Sequence, residues 1–343
     1  MRATTIHAPF DVRLSDVPDP VLSKPTDAVV QIVAGCICGS DLWSYRGENP
    51  ITPGKRIGHE YVGIVQEVGA EVRTVKPGDF VVTPFVASDG TCPNCLAGLQ
   101  SVCQQGAFIS GPDADGGQGE YAKVPHADGT LVATSEVPED SLVPSLLTLS
   151  DVMGTGWHAA RCARVKPGDT VVVVGDGAVG LCGVLAAARL GAERVVAMSR
   201  HEPRQKIARE FGATHVLAER GDEAKAAVLE LTNGVGADAV LECVGTSQAI
   251  ETAFAVARPG AMVGFVGVPH GVQVPIRTMF SRNVGLAGGV APVRAYLPEL
   301  MADVLSGTIN PGLVFDQELP LADVAEGYKS MHERRAVKTL LRP

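Results

Sequence analysis

Apolar residues along this chain recur with two different textures, and the change comes near the middle. Up to about residue 144, short β-branched runs at 29–33, 62–68 and 80–82 are separated by turn sequences. Lys76-Pro77-Gly78-Asp79 sits just before the third run. Proline pre-sets φ there and glycine tolerates a positive φ, which marks a turn between strands. The pattern predicts a β-rich, barrel-like domain carrying long loops. From about Val152 onward, near-continuous apolar runs at 171–174, 194–197, 215–217, 239–241 and 262–266 alternate with helical stretches such as 179–190 and 204–211. Continuous apolar strands separated by helices predict a parallel sheet covered on both faces, and hence an α/β architecture. A last segment from about residue 291 carries a helix at 296–305 and a strand at 337–341, and is expected to return to the first domain. The predicted organisation is therefore 1–151 with 291–343 as one domain and 152–290 as the other.

Composition narrows the class without changing that division. A chain of 343 residues suits two domains. With 45% hydrophobic and 20% charged residues it excludes a disordered chain. The net charge of -9 excludes a general nucleic-acid binder. The longest apolar run, 178–188, is too short to span a bilayer and ends at Arg189. The residues after Met1 lack the apolar core of a signal peptide. Of eight cysteines, Cys92, Cys95 and Cys103 fall within twelve residues. That usage suits metal binding in a reducing, cytoplasmic compartment better than disulfides.

The run at 171–174 leads directly into Gly175-Asp176-Gly177-Ala178-Val179-Gly180 and then an alanine-rich helix. The first glycine permits the tight turn and the second lets backbone approach a pyrophosphate. The third lets helix and strand pack closely, and the helix N-terminus faces the negative charge. Between a strand and a helix within repeated β–α units, this is a strong dinucleotide signature. The second strand ends at Met198-Ser199-Arg200, where an acid for the ribose hydroxyls would select NAD. A hydroxyl and a guanidinium stand there instead. Arg200, aided by His201 and Arg204, is placed to pair with a 2′-phosphate, so NADP(H) is expected over NAD(H). The competing reading is a solvated helix cap.

Two sets of side chains have the chemistry of metal ligands: Cys38, His59 and Asp151 with Glu60, and Asp89, Cys92, Cys95 and Cys103. Thiolates and imidazole favour zinc over the hard cations. Three protein ligands leave a position open for water or substrate, whereas four close the site.

Cys38-Gly39-Ser40-Asp41, Gly58-His59-Glu60, the 89–103 lobe and the 175–180 motif together resemble the zinc-dependent medium-chain alcohol dehydrogenases, over essentially the whole chain. The resemblance implies a Rossmann domain, doubly wound on a parallel sheet, together with a GroES-like catalytic domain. It makes Cys38, His59 and Asp151 ligands of a catalytic zinc, with Glu60 a supporting group or occasional fourth ligand. Cys36 is a rival to Cys38, but the Gly-Ser-Asp following Cys38 is what matches. Relatives carry four cysteines in the second lobe. Here Asp89 takes the first place, giving a structural site of one carboxylate and three thiolates, unless the lobe has lost its metal.

The activity the resemblance implies is hydride transfer between an alcohol and a nicotinamide, with zinc as Lewis acid. Ser40 would be the hydroxyl that passes on the alcohol proton. Trp43 replaces the histidine that many relatives place next in that relay, and is expected to narrow an apolar pocket with Phe85 and Val86. Thr155 and Lys338 match positions that contact the nicotinamide side and the pyrophosphate. A homodimer or homotetramer acting on a small molecule, with no nucleic-acid or membrane partner, is implied as well. Other readings are a polyol or amino-alcohol dehydrogenase, a zinc-free quinone or enone reductase, and a non-catalytic NADPH-binding protein. The metal residues weigh against the zinc-free enzyme.

Overall fold

The computed structural model describes residues 1–111 and 114–343 and divides them into two compact units, Met1–Asp151 with Pro292–Pro343, and Val152–Ala291. The second unit is a six-stranded, all-parallel sheet. Its order across the sheet runs His215–Leu217, Arg194–Met198, Thr170–Val174, Ala237–Glu242, Ala257–Phe265, Gly285–Gly288. Sequence order therefore reverses at Thr170–Val174, the switch point at which doubly wound sheets bind nucleotides. Val171, Val172 and Val173 have no exposed surface. Burial on both faces of the sheet stabilises by about 1.5–3 kcal/mol per such side chain. Helices Ala178–Arg189, Glu202–Glu210, Gly221–Leu231, Ser247–Val256 and Ile276–Arg282 lie in the five connections. Strand Gly285–Gly288 (Gly-Leu-Ala-Gly) is absent from the sequence expectation. It has no β-branched residue, and pairing with 262–265 makes it a strand.

In the first unit the strands at Ala28–Cys36, Tyr61–Val68 and Phe80–Thr83 pair antiparallel within a seven-stranded sheet. Gly63 lies where Tyr61–Val68 crosses Ala28–Cys36, and a Cβ there would stand 2.1 Å from the Gln31 carbonyl oxygen. Strand Thr339–Arg342 pairs with Ala28–Cys36, so the C-terminal segment is built into this unit. Two apolar clusters form its core, one around Val30, Tyr61 and Leu131, the other around Ile37, Tyr45 and Tyr328. No helix among the described residues is long and apolar enough to cross a membrane.

Candidate metal centres and cofactor site

Three separate turns bring the first donor set together. Cys38 follows strand Ala28–Cys36, and its amide donates to Asp41 Oδ2 at 3.0 Å. His59 follows Gly58, whose φ of +93° and contact with Gln118 (2.4 Å from a Cβ built there) exclude any side chain. Asp151 comes just after helix Val143–Thr148, where the Ser150 carbonyl accepts from the Phe85 amide at 3.0 Å. The ligand atoms of Cys38, His59, Glu60 and Asp151 all lie within 4.8 Å of one another, and all four residues are buried. His59 Nε2 is 3.4 Å from Asp151 Oδ2, and Cys38 Sγ is 3.8 Å from the same oxygen.

Burial, followed by the charge of Glu60, raises the Cys38 pKa above its ordinary value. Burial pulls His59 down, but Asp41 and Cys38 overcome it and leave that pKa well above normal. A buried cluster of two carboxylates, a thiol and an imidazole is poorly compensated by protons alone and fits a divalent cation. Its soft sulfur and nitrogen donors make zinc the matching ion.

Asp41 enters the sequence pattern only as the end of the Cys-Gly-Ser-Asp motif, yet its carboxylate positions both ligands. Its Oδ1 lies 3.3 Å from His59 Nδ1, and its Oδ2 accepts from the Cys38 amide. Gln118 Nε2 also donates to Oδ2 at 3.2 Å, and Tyr328 holds Gln118 in turn. Such a carboxylate fixes the tautomer that presents Nε2 to a metal. Asp41→Ala should therefore weaken metal retention about 10- to 100-fold. Competition with a chromophoric chelator measures this, and unchanged retention would remove Asp41 from the role.

Glu60 is held at both oxygens. Lys338 Nζ donates to Oε1 at 2.7 Å and Cys36 Sγ to Oε2 at 3.3 Å, and Lys338 also donates to the Ile37 carbonyl. Lys338, expected at the pyrophosphate, thus also meets the metal-site glutamate, a contact absent from the sequence expectation. The residue is 1% exposed, and its ammonium is engaged by the metal-site glutamate. Burial opposes that charge, but Cys36 and Glu60 beside it keep the lysine pKa well above its usual value. Cys36, a rival to Cys38 in the sequence, is fully buried and has this use instead.

A cavity of about 370 Å³ opens beside His59 and Asp41 and is lined by Ser40, Ser44, Asn49, Thr52, Phe108 and Lys55 among others. Phe108, with ring centroid 5.0 Å from that of His59, is its aromatic wall. Trp43, Phe85 and Val86, expected to narrow an apolar pocket, are not among the residues that line this cavity. Trp43 instead lies under the Arg46 guanidinium at 5.0 Å. Helix Asp41–Tyr45 turns position 43 off the face that carries Ser40, Asp41 and Ser44.

In the second donor set, Asp89, Cys92, Cys95 and Cys103 also gather within 4.8 Å. The Thr91 and Cys92 amides donate to Asp89 Oδ1 at 2.9 and 3.0 Å. Although burial opposes its charge, these amides hold its carboxyl well below the usual range. The Gln104 amide, chiefly, lowers the Cys92 thiol, whereas burial and the Cys103 and Cys92 sulfurs push Cys95 up to about 12. A cation would offset the charge of these donors as the thiols give up their protons, so the set fits a structural zinc with aspartate as the fourth ligand. Leu96, Leu99 and Val102 in this lobe are exposed, so apolar burial does little to hold it. Cys95→Ala should then lower the bound zinc by one equivalent and reduce Tm by several degrees, since metal binding energy here is local folding energy. Elemental analysis and calorimetry test it, and unchanged zinc content would refute the site.

In the second unit, Gly175 adopts φ +119°, and Gly180 packs so closely that a Cβ would sit 2.1 Å from the Gly175 carbonyl oxygen. Gly177 is different: its φ is ordinary and a Cβ would meet nothing within 4 Å. The protein itself does not require glycine there. An open face at the start of the twelve-residue helix Ala178–Arg189 (where Ala178 and Val179 also lie) fits a ligand phosphate. Thr155 is buried in helix Val152–Cys162.

At the second strand's end, Asp176 of the glycine loop accepts from Ser199 Oγ at 2.8 Å and from Arg204 Nη1 at 3.1 Å. Ser199 and Arg204, expected to face a 2′-phosphate, are thus committed to an acid to which the sequence pattern assigns no role. Arg200 is exposed and has no ion-pair partner among the described residues.

The chain is similar to known proteins in sequence and in fold. Residues 24–139 match the alcohol dehydrogenase GroES-like domain model and residues 178–306 the zinc-binding dehydrogenase model. The chain is 38% identical over 349 residues to a Mycobacterium tuberculosis protein named as a probable zinc-binding alcohol dehydrogenase, covering 100% of this chain and 89% of that protein. It is 33% identical to zinc-type alcohol dehydrogenase B of Aspergillus flavus, covering 100% of this chain and 81% of that protein. Among solved structures, alcohol dehydrogenase TADH from Thermus sp. ATN1 superposes with a TM-score of 0.93 at 32% identity, covering 100% and 99% of the two chains.

Proposed function

This chain belongs to the zinc-dependent medium-chain dehydrogenase/reductase family, and from that premise we propose that it is an NADP(H)-preferring alcohol dehydrogenase and carbonyl reductase that interconverts small alcohols with aldehydes or ketones. The observation that carries the proposal is the gathering of Cys38, His59, Glu60 and Asp151 beside the cavity lined by His59 and Ser40. Zinc held by Cys38, His59 and Asp151 would supply Lewis acidity toward the substrate oxygen. The nicotinamide would supply the hydride chemistry.

The chain's own groups do the rest. Ser40, at the cavity wall, would accept the alcohol proton at Oγ while passing its own hydroxyl proton to solvent in the cavity. Asp41 keeps His59 and Cys38 in their ligating orientation. Lys338 and Cys36 keep both Glu60 oxygens occupied, so this carboxylate acts as a supporting group. Phe108, Ile51 and Ile57 reduce water access on the apolar side of the cavity. Ser44, Asn49 and Thr52 in the same cavity favour a substrate with more than one hydroxyl, which makes a polyol dehydrogenase the second reading.

NADP(H) preference is supported by Arg200, which is exposed and has no ion-pair partner among the described residues, and by Arg204, which offsets the charge of Asp176. A panel of secondary alcohols, polyols and ketones followed through NADPH and NADH absorbance tests the whole reading. Turnover with NADPH exceeding that with NADH is expected. Failure to turn over any alcohol or carbonyl in zinc-replete protein would overturn the enzyme assignment.

A further inference from the structure

We propose that Arg220 is the second guanidinium of a 2′-phosphate subsite that it shares with Arg200, making it a specificity-determining residue for the cofactor; this rests on the NADP(H) reading above. Strands Arg194–Met198 and His215–Leu217 are parallel neighbours with Met198 opposite Leu217, and the Ser199 amide donates to the Leu217 carbonyl at 2.9 Å. Both chains therefore leave the sheet at the same edge and in step, with Arg200 and Arg220 two and three residues past their strands. The adjacent strand Thr170–Val174 delivers the glycine loop to that edge. Arg220 is partly buried and folds back on its own connection, where Nη1 donates to the Glu219 carbonyl at 2.7 Å and the Ala218 carbonyl at 3.3 Å.

The charges at this edge do not balance locally. Arg204 is paired with Asp176, while neither Arg200 nor Arg220 has a carboxylate within ion-pair distance among the described residues. The two guanidiniums sense each other: burial first, then the Arg200 charge, lower the Arg220 pKa, with Asp176 and Glu219 acting in the opposite sense. Two neighbouring cations with no carboxylate in ion-pair reach form a poor arrangement for the free protein and a ready one for a phosphate dianion. Planar guanidiniums offer paired donors to such an anion. Asp176, meanwhile, is occupied by Ser199 and Arg204, which blunts the repulsion it would exert on the phosphate.

The test is calorimetric binding of 2′,5′-ADP and 5′-AMP to the wild-type protein, Arg220→Gln and Arg220→Lys at fixed ionic strength. Arg220→Gln should weaken 2′,5′-ADP about tenfold or more while leaving 5′-AMP within about twofold, since one charge-assisted interaction is lost only with the 2′-phosphate. Arg220→Lys should recover part of the loss, because an ammonium keeps the charge without the fork. If the wild type distinguishes the two nucleotides but Arg220→Gln does so equally well, the inference fails and the NADP(H) reading stands. An equal loss for both nucleotides would assign Arg220 a structural role at the start of helix Gly221–Leu231 and also overturn it. A wild type that binds the two nucleotides alike would defeat the NADP(H) reading itself.

Discussion

Cys38→Ser protein is expected to lose alcohol-oxidising activity by a factor on the order of a thousand or more, because Lewis-acid stabilisation is worth several kcal/mol of barrier. The substitution exchanges a thiol that becomes a soft thiolate ligand for a hydroxyl that resists deprotonation. The site offers little to compensate. The remaining donors are His59 and the Asp151 and Glu60 carboxylates, and Glu60 is already held by Lys338 and Cys36. Elemental analysis should show one zinc per chain instead of two, the remaining one at Asp89, Cys92, Cys95 and Cys103. NADP(H) binding, followed by fluorescence, should persist because the glycine motif lies in the Val152–Ala291 unit. Near-normal kcat in metal-stripped Cys38→Ser protein would end the zinc mechanism.

Arg200→Ala is expected to lower the NADP(H):NAD(H) ratio of kcat/KM by about ten- to hundredfold. A charged hydrogen bond to phosphate contributes roughly 1.5–3 kcal/mol. The loss should fall on NADP(H), with NAD(H) efficiency little changed, because the variant removes a partner that only the 2′-phosphate uses. The change is cleaner than placing an aspartate at 199. Ser199 is fully buried and donates to Asp176 at 2.8 Å, so a second carboxylate there would face the first and perturb the glycine loop. The effect should shrink at high salt, since Arg200 is exposed. A ratio unchanged in Arg200→Ala, or a wild type favouring NAD(H), would refute the assignment.

The features legible in the amino-acid sequence alone are local or repetitive. The apolar runs of the parallel sheet announce themselves because burial on both faces demands continuous β-branched sequence, as in Thr170–Val174. The glycine motif is legible because turn, phosphate approach and helix packing all fall within six residues. The two donor sets are legible as residue types in a register. The short lobe from Asp89 to Cys103 is nearly self-contained, whereas Cys38, His59 and Asp151 are joined in sequence only by the family resemblance.

The tertiary structure decided the partners. Lys338 meets Glu60 across 278 residues of sequence, and only the pairing of Thr339–Arg342 with Ala28–Cys36 places it there. Asp41 reaches His59 and Cys38 together because strand ends and the Gln118 turn converge on it. Asp176 takes Ser199 and Arg204 because two parallel strands end side by side, a contact that the sequence does not announce. Gly285–Gly288 becomes a strand through its neighbour's hydrogen bonds alone. The physical reason is common to all four. Backbone periodicity and turn chemistry act between residues a few positions apart and leave their mark in the sequence. Side-chain partners and strand neighbours are set by which segments the fold brings together, and composition carries no record of that distance.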